Sequence, residues 1–313
     1  MLIGVFQTQP ASRSNAAFGY RKLGNKKLSN KKRASWRGAL FVCLLLPFAQ
    51  ATAQTAAGKA LVLEQGGPQT CRAVQLNETA VAVAKVVDGD TLHLRDGRSV
   101  RLIGINSPEV GYADKPAEPM ADAARDALKA MLGPTAKVGL RYGREKHDRY
   151  RRLLAHVYLA DGESVQARML TAGLAAQIVV PPNLGQFDCY RAAEQSARKA
   201  NKGVWAGIYR PLSVAALSRE ARGFKVLTGR IERISQSKNS FWLNFVKHPG
   251  EGRHEGVAVR IAKQDLDAFI GWRTPMTIKS LQGKTIVVRG WIYEYKQHQI
   301  IRVRHPASIE VLR

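Results

Sequence analysis

Short strand-like runs separated by tight turns of aspartate and glycine dominate the chain from Thr79 to residue 162. In the first run Val81, Val83 and Val87 alternate with neighbouring positions, as one face of a strand does. The turns are Asp88-Gly89, Asp96-Gly97 and Asp161-Gly162. Asp-Gly pairs favour the backbone conformations that join antiparallel strands. Helical patterns are interspersed at 119–132, 164–172 and 186–201, so we predict an OB-fold barrel with helical additions.

A second strand-rich unit follows a break in the pattern at 213–223. Its predicted strands cover 224–234, 241–247, 256–262, 284–295 and 299–312, with a short helix near 264–269. This spacing indicates a second small OB-like β-barrel, so the fold class is mainly β with α. We predict a lead-in segment over 54–76, a first domain over 77–210 and a second domain over 222–313.

The first 53 residues have the pattern of a secretory signal peptide. Nine basic residues and no acid precede residue 39, an apolar run covers 39–48, and Ala51-Thr52-Ala53 has a small-x-small cleavage pattern. An uncleaved anchor and a lipoprotein signal at Cys43 are the alternatives. We therefore expect export to the periplasm or beyond, with cleavage near Ala53. No later apolar stretch approaches the roughly 20 residues of a membrane span, so the mature protein is expected to lack one.

The formal net charge of +25 points to a polyanionic partner, either nucleic acid or anionic lipid. Setting aside the nine basic residues of the signal segment still leaves +16, so the folded part is itself basic. Cys71 and Cys189 remain after the predicted cleavage. In an oxidising compartment these two cysteines form one disulfide or stay as separate buried thiols.

Three short motifs carry the chemistry. They are Asp88-Gly89-Asp90-Thr91, then Arg101-Leu102-Ile103-Gly104-Ile105-Asn106-Ser107-Pro108-Glu109, then Asp148-Arg149-Tyr150-Arg151-Arg152. Alone, the first motif fits a hairpin turn, the second a strand that enters a proline turn, and the third a solvated basic loop. In this order and spacing they resemble the staphylococcal nuclease family. The resemblance extends from about Ala80 to Trp205.

The resemblance implies a calcium-dependent phosphodiesterase that cuts DNA and RNA with little sequence specificity and leaves 3′-phosphate ends. Hydrolysis needs a metal ion, an activated water and cations that stabilise charge on the phosphate. By position in the motifs, the Ca²⁺ ligands are the Asp90 carboxylate, the Asn106 side-chain oxygen and the Ser107 carbonyl. Glu109 matches the proposed general base, and Arg101 and Arg152 match the phosphate-binding arginines. Arg149 and Tyr150 are expected to contact substrate.

The chain departs from the family pattern at three places. Asn106 stands where the best-known members carry a second aspartate, which predicts weaker calcium binding. Ser107 replaces a threonine, which matters little if only its carbonyl is a ligand. The segment 178–182 carries no aromatic residue where the family has tyrosines that pack against the substrate.

The second domain interleaves aromatic and basic residues, which either bind a single strand or fill the core of a small barrel. These residues are Phe241, Trp242, Lys247, Arg260, Trp291, Tyr293, Tyr295, Lys296, Arg302 and Arg304. Because the motifs end before it, we expect a chain truncated near Ser213 to fold and to cleave short oligonucleotides. Two other functions fit less well: a nucleic-acid-binding protein that has lost catalysis, and a surface adhesin that uses its basic charge.

Overall fold

The computed structural model describes residues 71–113, 115–245, 256–271 and 277–312. The predicted signal segment 1–53 and most of the lead-in lie outside the described residues. Within the part of the chain that the structure describes, none of the helices combines the length and the apolar character that a membrane crossing needs.

The first barrel contains five strands that close on themselves. They are β1 (Glu78–Asp88), β2 (Thr91–Leu94), β3 (Ser99–Leu102), β5 (Lys137–His147) and β6 (Leu153–Tyr158). Their order around the barrel is β1-β2-β3-β6-β5, and only β3 and β6 run parallel among these pairs. Two short strands, β4 (Ile105–Asn106) and β7 (Ala176–Gln177), pair outside the barrel.

Three helices pack on this barrel: α1 (Ala121–Leu132), α2 (Val165–Thr171) and α3 (Phe187–Lys199). In α1 the buried side chains are Ala121, Ala124, Leu128 and Leu132, the three-to-four-residue spacing of a single helix face. The helix begins two residues later than the sequence predicts because Met120 has a positive φ of 73°. The disulfide Cys71–Cys189, with Cα atoms 5.4 Å apart, joins the lead-in segment to the first turn of α3.

The second barrel repeats the strand order of the first. Its strands are β9 (Gly223–Gln236), β10 (Ser240–Phe245), β11 (Gly256–Ala262), β12 (Thr285–Tyr295) and β13 (His298–Val303). They follow the order β9-β10-β11-β13-β12, and the pairing of β12 with β9 closes the ring. The short strand β8 (Leu212–Ser213) extends the sheet beside β9, and helix α4 (Leu266–Ile270) follows β11. The predicted fold class, an OB-type barrel with helices followed by a second small barrel, is confirmed.

The prediction of one continuous strand over 299–312 is wrong. β13 ends at Val303, a short 3₁₀ helix follows at Pro306–Ser308, and a separate strand β14 (Ile309–Val311) pairs with β12. Pro306 explains the break, because proline lacks the N–H that a strand interior requires.

The two barrels share a buried core. Its fully buried members come from both sides: Ala176, Ala197, Val204, Trp205, Tyr209, Phe224, Val226 and Val287. Beside it, the buried guanidinium of Arg289 on β12 contacts both carboxylate oxygens of Glu194 on α3 at 2.8 Å and Glu310 on β14 at 2.7 Å. This shared core bears on the expectation that a chain truncated near Ser213 folds, because the truncation would expose its members from the first domain.

Candidate active site

The residues of the first two motifs meet at one end of the first barrel. Thr91, next to Asp90, pairs with Arg101 in the β2–β3 ladder, and Asn106 pairs with Ala176 in the β4–β7 ladder. The turn between β1 and β2 approaches closely, since a Cβ at Gly89 would lie 2.7 Å from the Cβ of Ser107. Only glycine fits there, and the close approach brings the Asp90 carboxylate against Ser107 of the second motif.

The Asp90 carboxylate is the centre of this cluster, and the residue is only 3% exposed. Its Oδ2 accepts a hydrogen bond from the Ser107 N–H at 2.8 Å and forms an ion pair with Arg101 Nη2 at 2.9 Å. Arg101 is fixed in turn, because Nη1 donates to the carbonyls of Leu102 and Ile105. The arginine is thus held beside the predicted metal ligands by the strand that precedes them.

Asn106 connects the cluster to a residue that the sequence analysis did not single out. Its Nδ2 donates to the Tyr209 hydroxyl at 3.0 Å and to the Ser107 carbonyl at 3.2 Å. Its Oδ1 lies 3.4 Å from Arg101 Nη2, on the same side as Asp90. Tyr209 is fully buried. Nothing in the motifs points to it, because it lies 103 residues from Asn106.

The acidic side chains of this cluster outnumber the basic side chains that lie near them. Burial, followed by the nearby charge of Asp90, raises the pKa of Asp88 to about 7. Glu109 lies at the exposed edge, where partial desolvation and the charge of Asp90 raise the pKa of its carboxyl. Its N–H donates to Glu118 Oε2 at 3.0 Å. Asp88 and Glu118 are therefore further members of the cluster beyond the predicted site residues.

This donor set fits a calcium ion. The predicted ligands are hard oxygens from one carboxylate, one amide and one carbonyl, which suit Ca²⁺. They are not a cluster of three His, Cys, Asp or Glu side chains, and the described residues contain no such metal-binding group. Burial, and after it the charge of Asp90, raises the pKa of both the Asp88 and the Glu109 carboxyl. The buried Ser107 Oγ also has no hydrogen-bond partner among the described residues.

The third motif forms the turn between β5 and β6. Arg152 is held by Asp148, whose Oδ2 accepts from Nε and Nη2 at 2.7 Å. Burial alone would raise the pKa of Asp148, but the hydrogen bonds from Arg152 bring it below its ordinary value. Tyr150 is 63% exposed, with the Arg149 guanidinium 4.7 Å from its ring centre. Arg149 and Arg152 in this turn thus lie beside an exposed aromatic ring.

A cleft of about 420 Å³ brings the arginines of these motifs together. We call it the active-site cleft. Its lining includes Arg101, Arg149, Tyr150, Arg152, Ile178 and Val180. Trp291 and Arg304 from the second barrel complete its wall. The predicted phosphate-binding and substrate-contacting residues therefore face one space.

Comparison with known proteins shows similarity to nucleases. The family model described as "Staphylococcal nuclease homologue" matches residues 99–207. The thermonuclease of Staphylococcus intermedius is 34% identical over 142 residues, covering 44% of this chain and 83% of the relative. The thermonuclease of Staphylococcus hyicus is 33% identical over 132 residues, covering 41% and 77%. Endonuclease YncB of Bacillus subtilis is 32% identical over 130 residues, covering 40% and 61%.

An OB-type barrel with a buried acidic cluster beside a cleft lined with arginine suits the hydrolysis of a phosphodiester, which needs carboxylates and cations near one phosphate. The chain belongs to the staphylococcal nuclease family, as its sequence motifs predicted, and it is a nuclease.

Proposed function

We propose that this protein is an exported, calcium-dependent endonuclease that hydrolyses DNA and RNA with little sequence specificity. The observation that carries the proposal is the buried Asp90 carboxylate, held between Arg101 and the Ser107 N–H, beside a cleft lined with arginine. The large positive charge supports a polyanionic substrate, because it favours association with phosphate backbones of any sequence.

Each residue has a distinct role in the proposed reaction. Ca²⁺ held by Asp90, Asn106 and Ser107 would neutralise charge on the phosphate. Glu109 accepts a proton from the attacking water, whose oxygen forms a new bond to phosphorus. Arg101 and Arg152 donate hydrogen bonds to the phosphate oxygens, and their planar groups retain donors beyond those used by Asp90 and Asp148. The bond from phosphorus to the 5′ oxygen breaks, and this oxygen takes up a proton from solvent, which leaves a 3′-phosphate and a 5′-hydroxyl.

The calcium requirement gives the first test. Activity is expected to depend on calcium, and Asn106→Asp is expected to lower the concentration for half-maximal activity by about 10-fold, because it adds one negative charge to the ligand set. In the variant, the Tyr209 hydroxyl can donate a hydrogen bond to the aspartate, whereas in the wild type it accepts one from Asn106. The measurement is a calcium titration of the initial cleavage rate for wild type and variant.

Asn201→Asp is the matched control for that titration. Asn201 is exposed after α3 and takes no part in the acidic cluster, so this variant changes the net charge equally without changing a ligand. Its calcium dependence should equal that of the wild type. Full activity in excess chelator, or equal shifts in both variants, would contradict the assigned metal site.

Export is supported by the signal-like segment and by the disulfide. Disulfides persist mainly in oxidising compartments. The Cys71–Cys189 bridge closes a loop with a sequence separation of 118 residues. Its reduction is expected to lower the free energy of unfolding by about 2–4 kcal/mol. Denaturant unfolding of the oxidised and the reduced, alkylated protein measures this difference. Free thiols at both positions, found by mass spectrometry of non-reduced peptides from exported protein, would contradict the pairing.

A further inference from the structure

The wall of the active-site cleft contains an aromatic residue from outside the first barrel. Segment 178–182 carries no aromatic residue, and it contributes the aliphatic side chains of Ile178 and Val180 to the cleft. Trp291 on β12 lines the same cleft as Arg149 and Tyr150 and is 43% exposed. An indole face is therefore available beside the groups that are expected to hold the phosphate.

Alternation along β12 explains why Trp291 points to this cleft. Val288 and Ile292 belong to the core of the second barrel. Val287 lies in the core shared by the two barrels, and Arg289 contacts Glu194 of the first. Since side chains alternate along a strand, Trp291 projects on the same side as these two residues. Trp291 therefore faces the nuclease barrel, and its side chain does not fill the core of the second barrel.

A chain of aromatic contacts fixes the position of Trp291. Its ring centre lies 5.3 Å from that of Phe224, which pairs with it across the β9–β12 ladder. Phe224 lies 5.1 Å from Tyr209, and the Tyr209 hydroxyl is bonded to Asn106. Contacts between edges and faces of this kind are favourable and directional. They connect Trp291 to the predicted calcium ligands through packed side chains.

The charge around Trp291 is complementary to a nucleic acid strand. An adjoining cleft of about 310 Å³ shares Arg149, Trp291 and Arg304 with the active-site cleft and adds Arg302. Arg302 and Arg304 both approach one carboxylate, that of Asp265, at 3.3 and 3.6 Å. Two cations beside one anion leave net positive charge along the path that leads past Trp291.

We propose that Trp291 stacks on a base of the strand bound in the active-site cleft, and that Arg304 binds a neighbouring phosphate. The substrate site is then composite, with phosphate chemistry on the first barrel and a base platform on the second. Stacking on an aromatic ring is insensitive to base identity, which agrees with a nuclease of low sequence specificity. This inference depends on the proposed function, because it assumes that the strand lies in the active-site cleft.

The test compares Trp291→Ala with Tyr295→Ala in the full chain. Tyr295 is an exposed aromatic on the same strand, but it lines a different cavity. With short single-stranded oligonucleotides, Trp291→Ala is expected to raise KM by roughly 10-fold with little change in kcat, since a stack made equally in the ground and transition states contributes only binding. Tyr295→Ala should leave both unchanged, and Trp291→Tyr should restore most of the loss.

Abasic oligonucleotides separate stacking from a structural effect. Scanning one abasic position along the strand, with calcium replaced by chelator, should reveal a position where loss of the base weakens wild-type binding by roughly 10-fold. The Trp291→Ala protein should bind this abasic oligonucleotide as tightly as it binds the intact one, because the indole that would stack on the base is already absent. Trp291→Leu, which keeps apolar packing on Phe224, should behave like Trp291→Ala and serves if the alanine variant does not fold.

The two possible failures are distinguishable. A wild-type protein that cleaves nothing with calcium would refute the proposed function. A wild-type protein that cleaves, while Trp291→Ala or Trp291→Leu matches Tyr295→Ala in KM, would refute the composite site alone. Additive losses from the abasic position and the Trp291 variant would also overturn it.

Discussion

Arg101→Lys, Arg152→Lys and Glu109→Gln are each expected to lower kcat on the order of 10²-fold or more. Lysine keeps the charge but lacks the planar pair of donors that can bind an anchoring carboxylate and a phosphate oxygen together. Arg101 and Arg152 are both held in this way, by Asp90 and Asp148. Glutamine at 109 keeps the shape of the side chain but cannot accept a proton from water. Steady-state cleavage of a defined oligonucleotide at saturating calcium measures the effects.

Arg151→Lys is the matched control in the same turn. Arg151 is exposed and lies next to Arg152. It should retain a rate within a factor of about 3 of the wild type, as expected for a side chain outside the transition-state contacts. Thermal unfolding of each variant should show that the fold persists. A near-normal rate for Arg152→Lys together with a large loss for Arg151→Lys would reverse the assignment of the phosphate-binding arginine.

Removal of the second barrel is expected to prevent stable folding of the first. A chain that ends at Ser213 would expose Val204, Trp205 and Tyr209, which the shared core buries. It would also remove the ion pair that the Glu194 carboxylate forms with Arg289. Circular dichroism and cleavage of short oligonucleotides by the truncated chain test this expectation. A truncated protein that folds cooperatively and cleaves at the full-length rate would contradict it.

A single substitution tests the same interface in the full chain. Arg289→Ala is expected to lower the free energy of unfolding by roughly 3–5 kcal/mol, because it leaves buried carboxylate charge without its partner. The exposed ion pair of Arg222 with Glu294, in the same barrel, is the control. Arg222→Ala should cost only about 0–1 kcal/mol. Equal shifts in the denaturation midpoint would mean that the barrel interface contributes no more than a surface contact.

Local features of the chain were predictable because their causes are local. The Asp-Gly turns set the hairpins, and the three-to-four-residue spacing of apolar side chains set α1. The motif residues could be assigned by position, since Asp90 directly precedes β2, and Arg101 lies on β3, which a short turn joins to β2. The break at Pro306 was also visible in the sequence, but β-branched residues at 300, 301 and 303 before it and at 309 and 311 after it favour strand on both sides.

Long-range contacts were not predictable from the same sequence. Tyr209 meets Asn106 across 103 residues, and Arg289 meets Glu194 across 95. Each partner carries an ordinary structural interpretation by itself. The fold of the first domain brings Tyr209 to Asn106, and the docking of the two barrels brings Arg289 to Glu194. Trp291 was visible as one aromatic among several in the second barrel. Its position beside Arg149 and Tyr150 follows from the side of β12 on which it lies.

The central claim is that this chain is a calcium-dependent endonuclease, and covalently closed circular DNA tests it most directly because such DNA has no ends. The full mature chain should nick and then fragment the circle with calcium, and it should leave the circle intact in excess chelator. Fragment ends should be 5′-hydroxyls that a polynucleotide kinase phosphorylates without prior phosphatase treatment. An intact circle with calcium, or fragments with 5′-phosphates, would contradict the account.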